Sequence, residues 1–258
     1  MEIVSCIRRV FGSIIAEVLT YQSERHGTLP PTQFGARLGR STSDAVHLAT
    51  KTIRDAWQRK KVVGGLFLDI KGAFLHINLN KLVHDMQMRG VPANLANWFG
   101  RLGGRRTLLT FDDFVSEPRE VQTGLMQGCP SSVIGFLFYH AGLSDVPRRG
   151  NEELSVSFVD DLTYMTIADT MEEVNERLQD IMERAGGALE WSREHASTFE
   201  LEKSAHMIWT KRRERQDAKW ARVTRPPLRV RREHMIQEEG ISLRGGRSKL
   251  MLLVLRIV

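Results

Sequence analysis

The run VVGGLFLDI at Val62–Ile70 limits the choice of fold more than any other part of the chain. A short apolar stretch bounded by polar residues reads as a buried strand, and a buried strand needs partners. The sequence supplies them. VSFVDDLTYMTI (156–167) places two short apolar stretches either side of Asp160–Asp161, and 199–201 and 205–209 read as two more strands. A further hairpin is expected from Thr107 to Val121, turning at Asp112–Asp113.

Helices alternate with these strands. Residues 3–21 space Val4, Ile7, Phe11, Ile14, Ile15 and Val18 by three and four, an amphipathic pattern. Ser41 or Ser43 can cap a helix reaching about Lys60, with Val46, Ala49, Ile53, Ala56 and Trp57 on one face. Helices are also expected over 79–89 and 94–102, from Pro130 onward, and over 170–191 as one long element. The order predicts an α+β fold: a mainly antiparallel sheet covered by helices on one face.

Composition narrows the class. With 258 residues, 41% hydrophobic and 26% charged, the chain can bury a core, which excludes wholesale disorder, collagen and coiled coil. Cys6 and Cys129 are too few for a disulfide scaffold or a four-thiolate zinc site. No secretory leader or membrane-length apolar run is visible, so an intracellular protein, nuclear or cytoplasmic, without a membrane partner is expected. The net charge of +6 is unevenly placed: Lys203–Val258 holds 15 Lys/Arg against 5 Asp/Glu. Residues 211–258 are therefore expected to form a basic arm and an atypical tail. Lys211, Arg212, Arg213 and Arg215 are its candidate phosphate contacts.

Aspartate is depleted in strands, so Asp69 at the end of one apolar run and Asp160–Asp161 within another call for a reason. Asp-Asp is also ordinary turn chemistry, and Asp112–Asp113 is assigned that reading. If Val62–Ile70 pairs beside the 155–167 hairpin, however, Asp69 meets Asp160 and Asp161 at one sheet edge. Clustered carboxylates repel unless cations neutralise them, and oxygen ligands of this kind suit Mg²⁺. Two such ions about 4 Å apart would activate an attacking oxygen and stabilise a leaving one. Spacing alone leaves turn chemistry and metal binding both open.

Five blocks now stand in order: QFGARLGRSTSDAV (33–46), LFLDIKGAF (66–74), GLMQGCPSS (124–132), SFVDDL (157–162) and LEKSAH (201–206). Together they resemble the reverse transcriptase domain of non-LTR (LINE-type) retrotransposons. That resemblance implies a right-hand polymerase palm (61–210) with partial fingers (1–60). It implies RNA-directed DNA synthesis from dNTPs on an RNA template and a DNA primer, with two Mg²⁺ ions, or Mn²⁺ in their place. It makes Asp69 and Asp160 the metal-binding carboxylates, with Ile70 beside the first and Asp161 in support. Phe74 would abut the sugar and disfavour a 2′-hydroxyl, and Gln127 and Gly128 would contact the incoming nucleotide and template. Lys203 would donate a proton to pyrophosphate, and Arg37 and Arg40 would lie near the template.

Departures from the pattern accompany the match. Leu38 replaces a proline, and Ser131–Ser132–Val133 follow Pro130. The finger strands that precede the first block in the family, and its primer grip and thumb, are expected to be absent, as in a domain truncated at both ends. The alternative function is a catalytically inactive remnant that binds nucleic acid without turnover. A metal-dependent nuclease using the same aspartates is a third.

Overall fold

The computed structural model describes residues 5–148, 150, 152–200 and 203–210, and beyond them the backbone of four two-residue strands. In chain order the helices and first strand are α1 (Cys6–His26), α2 (Thr42–Gln58), β1 (Val62–Leu68), α3 (Leu79–Met88) and α4 (Ala93–Gly100). Then come β2 (Arg105–Thr107), β3 (Thr110–Phe111), β4 (Phe114–Val115), β5 (Arg119–Val121) and α5 (Pro130–Ser144). They are followed by β6 (Glu153–Phe158), β7 (Asp161–Ala168), α6 (Met171–Glu183), α7 (Ala188–Glu194) and β8 (Ala205–Trp209). Last are β9 (Arg215–Gln216) paired with β10 (Lys219–Trp220), and β11 (Leu228–Arg229) with β12 (Met235–Ile236).

Two compact units share these elements. The first comprises 1–30, 72–142 and 194–197, and the second 31–71, 143–193 and 198–258. In the first unit the expected apolar stripe on α1 is not the buried one. Ile7, Phe11 and Ile14 are at least half exposed, and Gly12, Leu19 and Ser23 face inward instead. The reason is close approach: a Cβ on Gly12 would stand 2.7 Å from Cys129 Sγ, so the helix seats on its small-residue side. The helix also runs on past residue 21 to His26, where Gly27 adopts the left-handed conformation that ends it. Asp112–Asp113 form the turn of the β3–β4 hairpin, as expected, with Asp112 at φ 47°.

The second unit is built on a four-stranded antiparallel sheet in the order β6-β7-β1-β8. Ser41 caps α2 through a reciprocal pair of hydrogen bonds with Asp44. Ala45, Ala49 and Ala56 of that helix pack on the face that carries Val63, Phe67, Met165 and Ile167. The opposite face is covered by α6: a Cβ on Gly64 would meet Val174 Cγ1 at 2.0 Å, and Thr166 Oγ1 donates to the Val174 carbonyl at 3.1 Å. Helices therefore cover both faces, not one. Every residue of β1 is buried, and a strand apolar at successive positions has to be covered on both sides.

The long helix expected over 170–191 is two helices. Gly186 sits at φ 71°, and a Cβ on Gly187 would stand 2.7 Å from the Arg184 carbonyl and 2.8 Å from that of Ile181. The chain turns there in a conformation a side chain would resist. Of the strand expected at 199–201, Phe199 forms a bridge to Ile70, and residue 201 lies outside the described residues. Among the described residues no helix is long and apolar enough to cross a membrane.

Candidate active site

Pairing of β1 with β7 is antiparallel and places Leu68 opposite Leu162, one residue short of Asp69 on one strand and of Asp161 on the other. Phe158 pairs with Asp161, so Val159 and Asp160 are the two residues of the β6–β7 turn. Asp69 and Asp160 consequently lie at the same end of the sheet. Asp160 is half-buried, and its carboxyl is held above its ordinary value of 3.8, first by that burial and then by the charge of Asp69. A carboxylate whose charged form is disfavoured by a neighbouring carboxylate is stabilised by a cation placed beside it.

The backbone around Asp69 is braced by the segment 198–200. Glu200 N–H donates to the Asp69 carbonyl and Lys71 N–H to the Thr198 carbonyl, both at 2.9 Å, either side of the Ile70–Phe199 bridge. The Ile70 side chain is buried. The same segment brings two charged side chains to the carboxylate. Lys203 Nζ stands 2.8 Å from Glu200 Oε2 and 3.3 Å from Asp69 Oδ2. Its ammonium is stabilised above the usual lysine value, first by the hydrogen bond to Glu200 and then by that to Asp69. Glu200 escaped the sequence analysis, although an acid three residues before a lysine was available as a signal. Among the described residues no three His, Cys, Asp or Glu side chains form a group able to hold a metal ion. Asp69 and Asp160 are brought to one end of the sheet, and Asp161 opens β7 beside them.

The other predicted residues are distributed as follows. Arg37 is buried and donates to the Gln33 carbonyl at 3.3 Å, closing its own loop instead of facing outward. Arg40 donates to the Pro31 carbonyl and lies over the Phe34 ring, 5.7 Å from its centroid. In the first unit, Phe74 stacks on Phe136 with ring centroids 4.7 Å apart, and its carbonyl accepts from Leu125 N–H at 2.7 Å. That bond ties Phe74 to the loop whose exposed turn is Gln127–Gly128, with Gly128 at φ 87°. Lys211, Arg212, Arg213 and the Arg215 side chain lie outside the described residues.

Residues 1–223 match the family described as reverse transcriptase (RNA-dependent DNA polymerase). The chain belongs to this family. It is 28% identical over 222 residues to the probable RNA-directed DNA polymerase from transposon X-element of Drosophila melanogaster, a match covering 83% of the chain. It is 24% identical over 204 residues to the RNA-directed DNA polymerase from mobile element jockey of Drosophila funebris, covering 76%. The chain spans only 23% and 22% of those two relatives' own lengths. Among solved structures, telomerase from Candida tropicalis in complex with a fragment of telomeric RNA superposes with a TM-score of 0.57 at 10% identity. That match covers 78% of this chain and 35% of the telomerase. The telomerase of Candida albicans gives 0.52 at 13% identity, over 85% of this chain and 35% of its own. The reverse transcriptase chain thus has the α+β fold of a polymerase palm, as the motif order implied.

Proposed function

We propose that this chain is the catalytic core of a retroelement reverse transcriptase, joining dNTPs to a DNA primer on an RNA template. One observation carries the reading: antiparallel pairing of β1 with β7 brings Asp69 and Asp160 to one sheet end, close enough that Asp69 raises the Asp160 carboxyl. Asp69 and Asp160 would hold a divalent cation, Mg²⁺ or Mn²⁺, with Ile70 and Asp161 beside them. The hard oxygen donors, and the charge of Asp69 acting on Asp160, fit such an ion. Bound there, it would lower the barrier to attack of the primer 3′-hydroxyl on the dNTP α-phosphate. Lys203 holds a proton at Nζ beside Asp69, where it can be given to departing pyrophosphate. Phe74, fixed by its stack on Phe136, would limit space at the sugar, and Gln127 and Gly128 would meet the nucleotide and template. In this reading 61–210 is palm, 1–60 is part of the fingers, and 211–258 is a basic arm and tail. Arg40 and the basic residues Lys211, Arg212, Arg213 and Arg215 would contact nucleic-acid backbone, and Arg37 would brace the loop that carries Arg40.

A second reading, nucleic-acid binding without turnover, has one observation in its favour. The Lys203 ammonium, 3.3 Å from Asp69 Oδ2, already partly neutralises that carboxylate.

Extension of a DNA primer annealed to RNA, with Mg²⁺ and dNTPs, separates the two. Extension by the wild type that is lost in Asp160→Ala supports the polymerase. Salt-sensitive duplex binding by both proteins with no extension by either supports the second reading.

A further inference from the structure

The turn that carries Asp160 is strained. Val159 sits at φ 56°, a left-handed conformation that a β-branched residue rarely adopts. Such a conformation persists only where its surroundings impose it. Here the surroundings are residues 32–35. Gln33 bridges Ser157 in parallel, Phe34 N–H donates to the Ser157 carbonyl at 2.8 Å, and Ser157 N–H donates to the Thr32 carbonyl at 3.0 Å. Thr32 Oγ1 and Ser155 Oγ share a hydrogen bond of 2.9 Å. The loop thus makes a single bridge to the outer edge of β6, and its next residue meets the turn itself. A Cβ on Gly35 would stand 2.5 Å from the Val159 nitrogen, 2.7 Å from Val159 Cγ2 and 2.9 Å from the Phe158 carbonyl carbon. Two of these three are backbone atoms, which cannot swing aside as the end of a side chain could.

We infer that residues 32–35 form a clamp on the β6–β7 turn, and that Gly35 is a positioning residue that sets where Asp160 stands relative to Asp69. The absent side chain at Gly35 lets the loop backbone lie directly on the Val159 peptide. The pairing of Thr32 and Phe34 with Ser157 holds it there. Gly35 touches no reacting group; it acts through the turn. The inference rests on the reading of Asp160 as a metal-binding carboxylate.

The test compares Gly35→Ala with wild type, with Leu38→Ala as the loop control, because Leu38 is exposed and the change adds no bulk. The readouts are single-turnover primer extension, primer–template affinity, the Mg²⁺ concentration for half-maximal rate, and hydrogen exchange at the Phe34 and Ser157 amides. Gly35→Ala is expected to extend about a hundredfold more slowly, the scale of loss from displacing a reacting group by ~1 Å. It should need more Mg²⁺, bind duplex as tightly as wild type, and exchange faster at both amides. Leu38→Ala should keep wild-type extension. Thr32→Val weakens the clamp without adding bulk, and serves if Gly35→Ala does not fold. It should show the same changes in smaller measure, about two- to fivefold in rate.

Wild-type extension rate and Mg²⁺ requirement in a folded Gly35→Ala, or in Thr32→Val, would overturn the clamp. A rate loss in Gly35→Ala with unchanged exchange at Phe34 and Ser157 would do the same. If wild type itself does not extend, the polymerase reading fails separately, and the clamp is judged on exchange alone. Faster exchange at the two amides upholds it, and unchanged exchange overturns it.

Discussion

Lys203 Nζ lies 3.3 Å from Asp69 Oδ2, so the carboxylate expected to receive a metal ion already faces an ammonium. The two roles compete, and the competition can be measured. Removing the amine in Lys203→Ala takes away a positioned acid, a loss typically of 10²–10⁴-fold. It also removes a cation that repels the metal. Maximal extension rate is therefore expected to fall by about that factor while the Mg²⁺ concentration for half-maximal rate falls as well. A Mg²⁺ titration of single-turnover rates checks both directions. The Lys203 ammonium is favoured above the usual lysine value of 10.5 by Glu200 and then Asp69, so the ion pair is complete at neutral pH and lost only above that range.

The shift at Asp160 is also upward, but it disfavours the charged form. Burial, reinforced by Asp69, raises its carboxyl above 3.8, so the native state keeps a proton that the unfolded chain has released. Stability accordingly falls as pH climbs through the window just above 3.8. Asp160→Asn lacks that slope and should melt higher than wild type at neutral pH, by on the order of 2 °C for a chain of this size. Extension by wild type should fall as pH drops into the same window, because a metal-binding carboxylate has to be deprotonated. Thermal melts of both proteins from pH 4 to pH 8 decide the first point, and a pH–rate profile the second. A variant less stable than wild type at pH 7 would contradict the account.

Phe74 is held by its stack on Phe136 and by the hydrogen bond from Leu125 to its carbonyl. If it limits space at the sugar, Phe74→Ala should admit ribonucleotides about 10- to 200-fold better relative to deoxyribonucleotides, the range that one pocket contact supplies. Competition between a dNTP and its rNTP on one template measures the ratio directly.

Gly64 is where β1 and α6 approach most closely, with 2.0 Å between its virtual Cβ and Val174 Cγ1. Gly64→Val overfills that contact and should cost about 1–3 kcal/mol. Trimming the opposing side chain in Gly64→Val/Val174→Ala should return part of the loss, because residues in contact are not additive. Denaturant melts of the two single variants and the double variant give the coupling.

Much of this arrangement was legible in the residues. The β1 run, the hairpin at 156–167 and the Ser41 cap all stand where the pattern placed them, since each rests on local chemistry. The two Asp-Asp pairs show where local chemistry ends. Asp112 and Asp113 are both in a turn, whereas Asp160 is in the turn and Asp161 already opens β7. The dipeptide is the same and only the hairpin register differs, which composition does not carry. The covering of both sheet faces was encoded in the unbroken burial of β1, but a strand says nothing of which helices cover it. Arg37 resembled an exposed cation because a loop with glycines resembles an exposed loop. Its guanidinium turns inward to the Gln33 carbonyl four residues back, a loop closure that composition does not announce.

The strand order β6-β7-β1-β8 also fixes a sequence of events at the ribosome. About ninety residues separate Asp69 from Asp160, so β1 emerges with neither of its neighbours made. At 5–20 residues per second, some 5–20 s pass before β7 is synthesised. Throughout that interval the most apolar strand of the chain has both edges open, and the two aspartates belong to separate stretches of unfinished protein. Carboxylate proximity thus waits on the synthesis of β7, and until then the nascent polypeptide's greatest hazard is a hydrophobic edge that any other nascent strand could pair with.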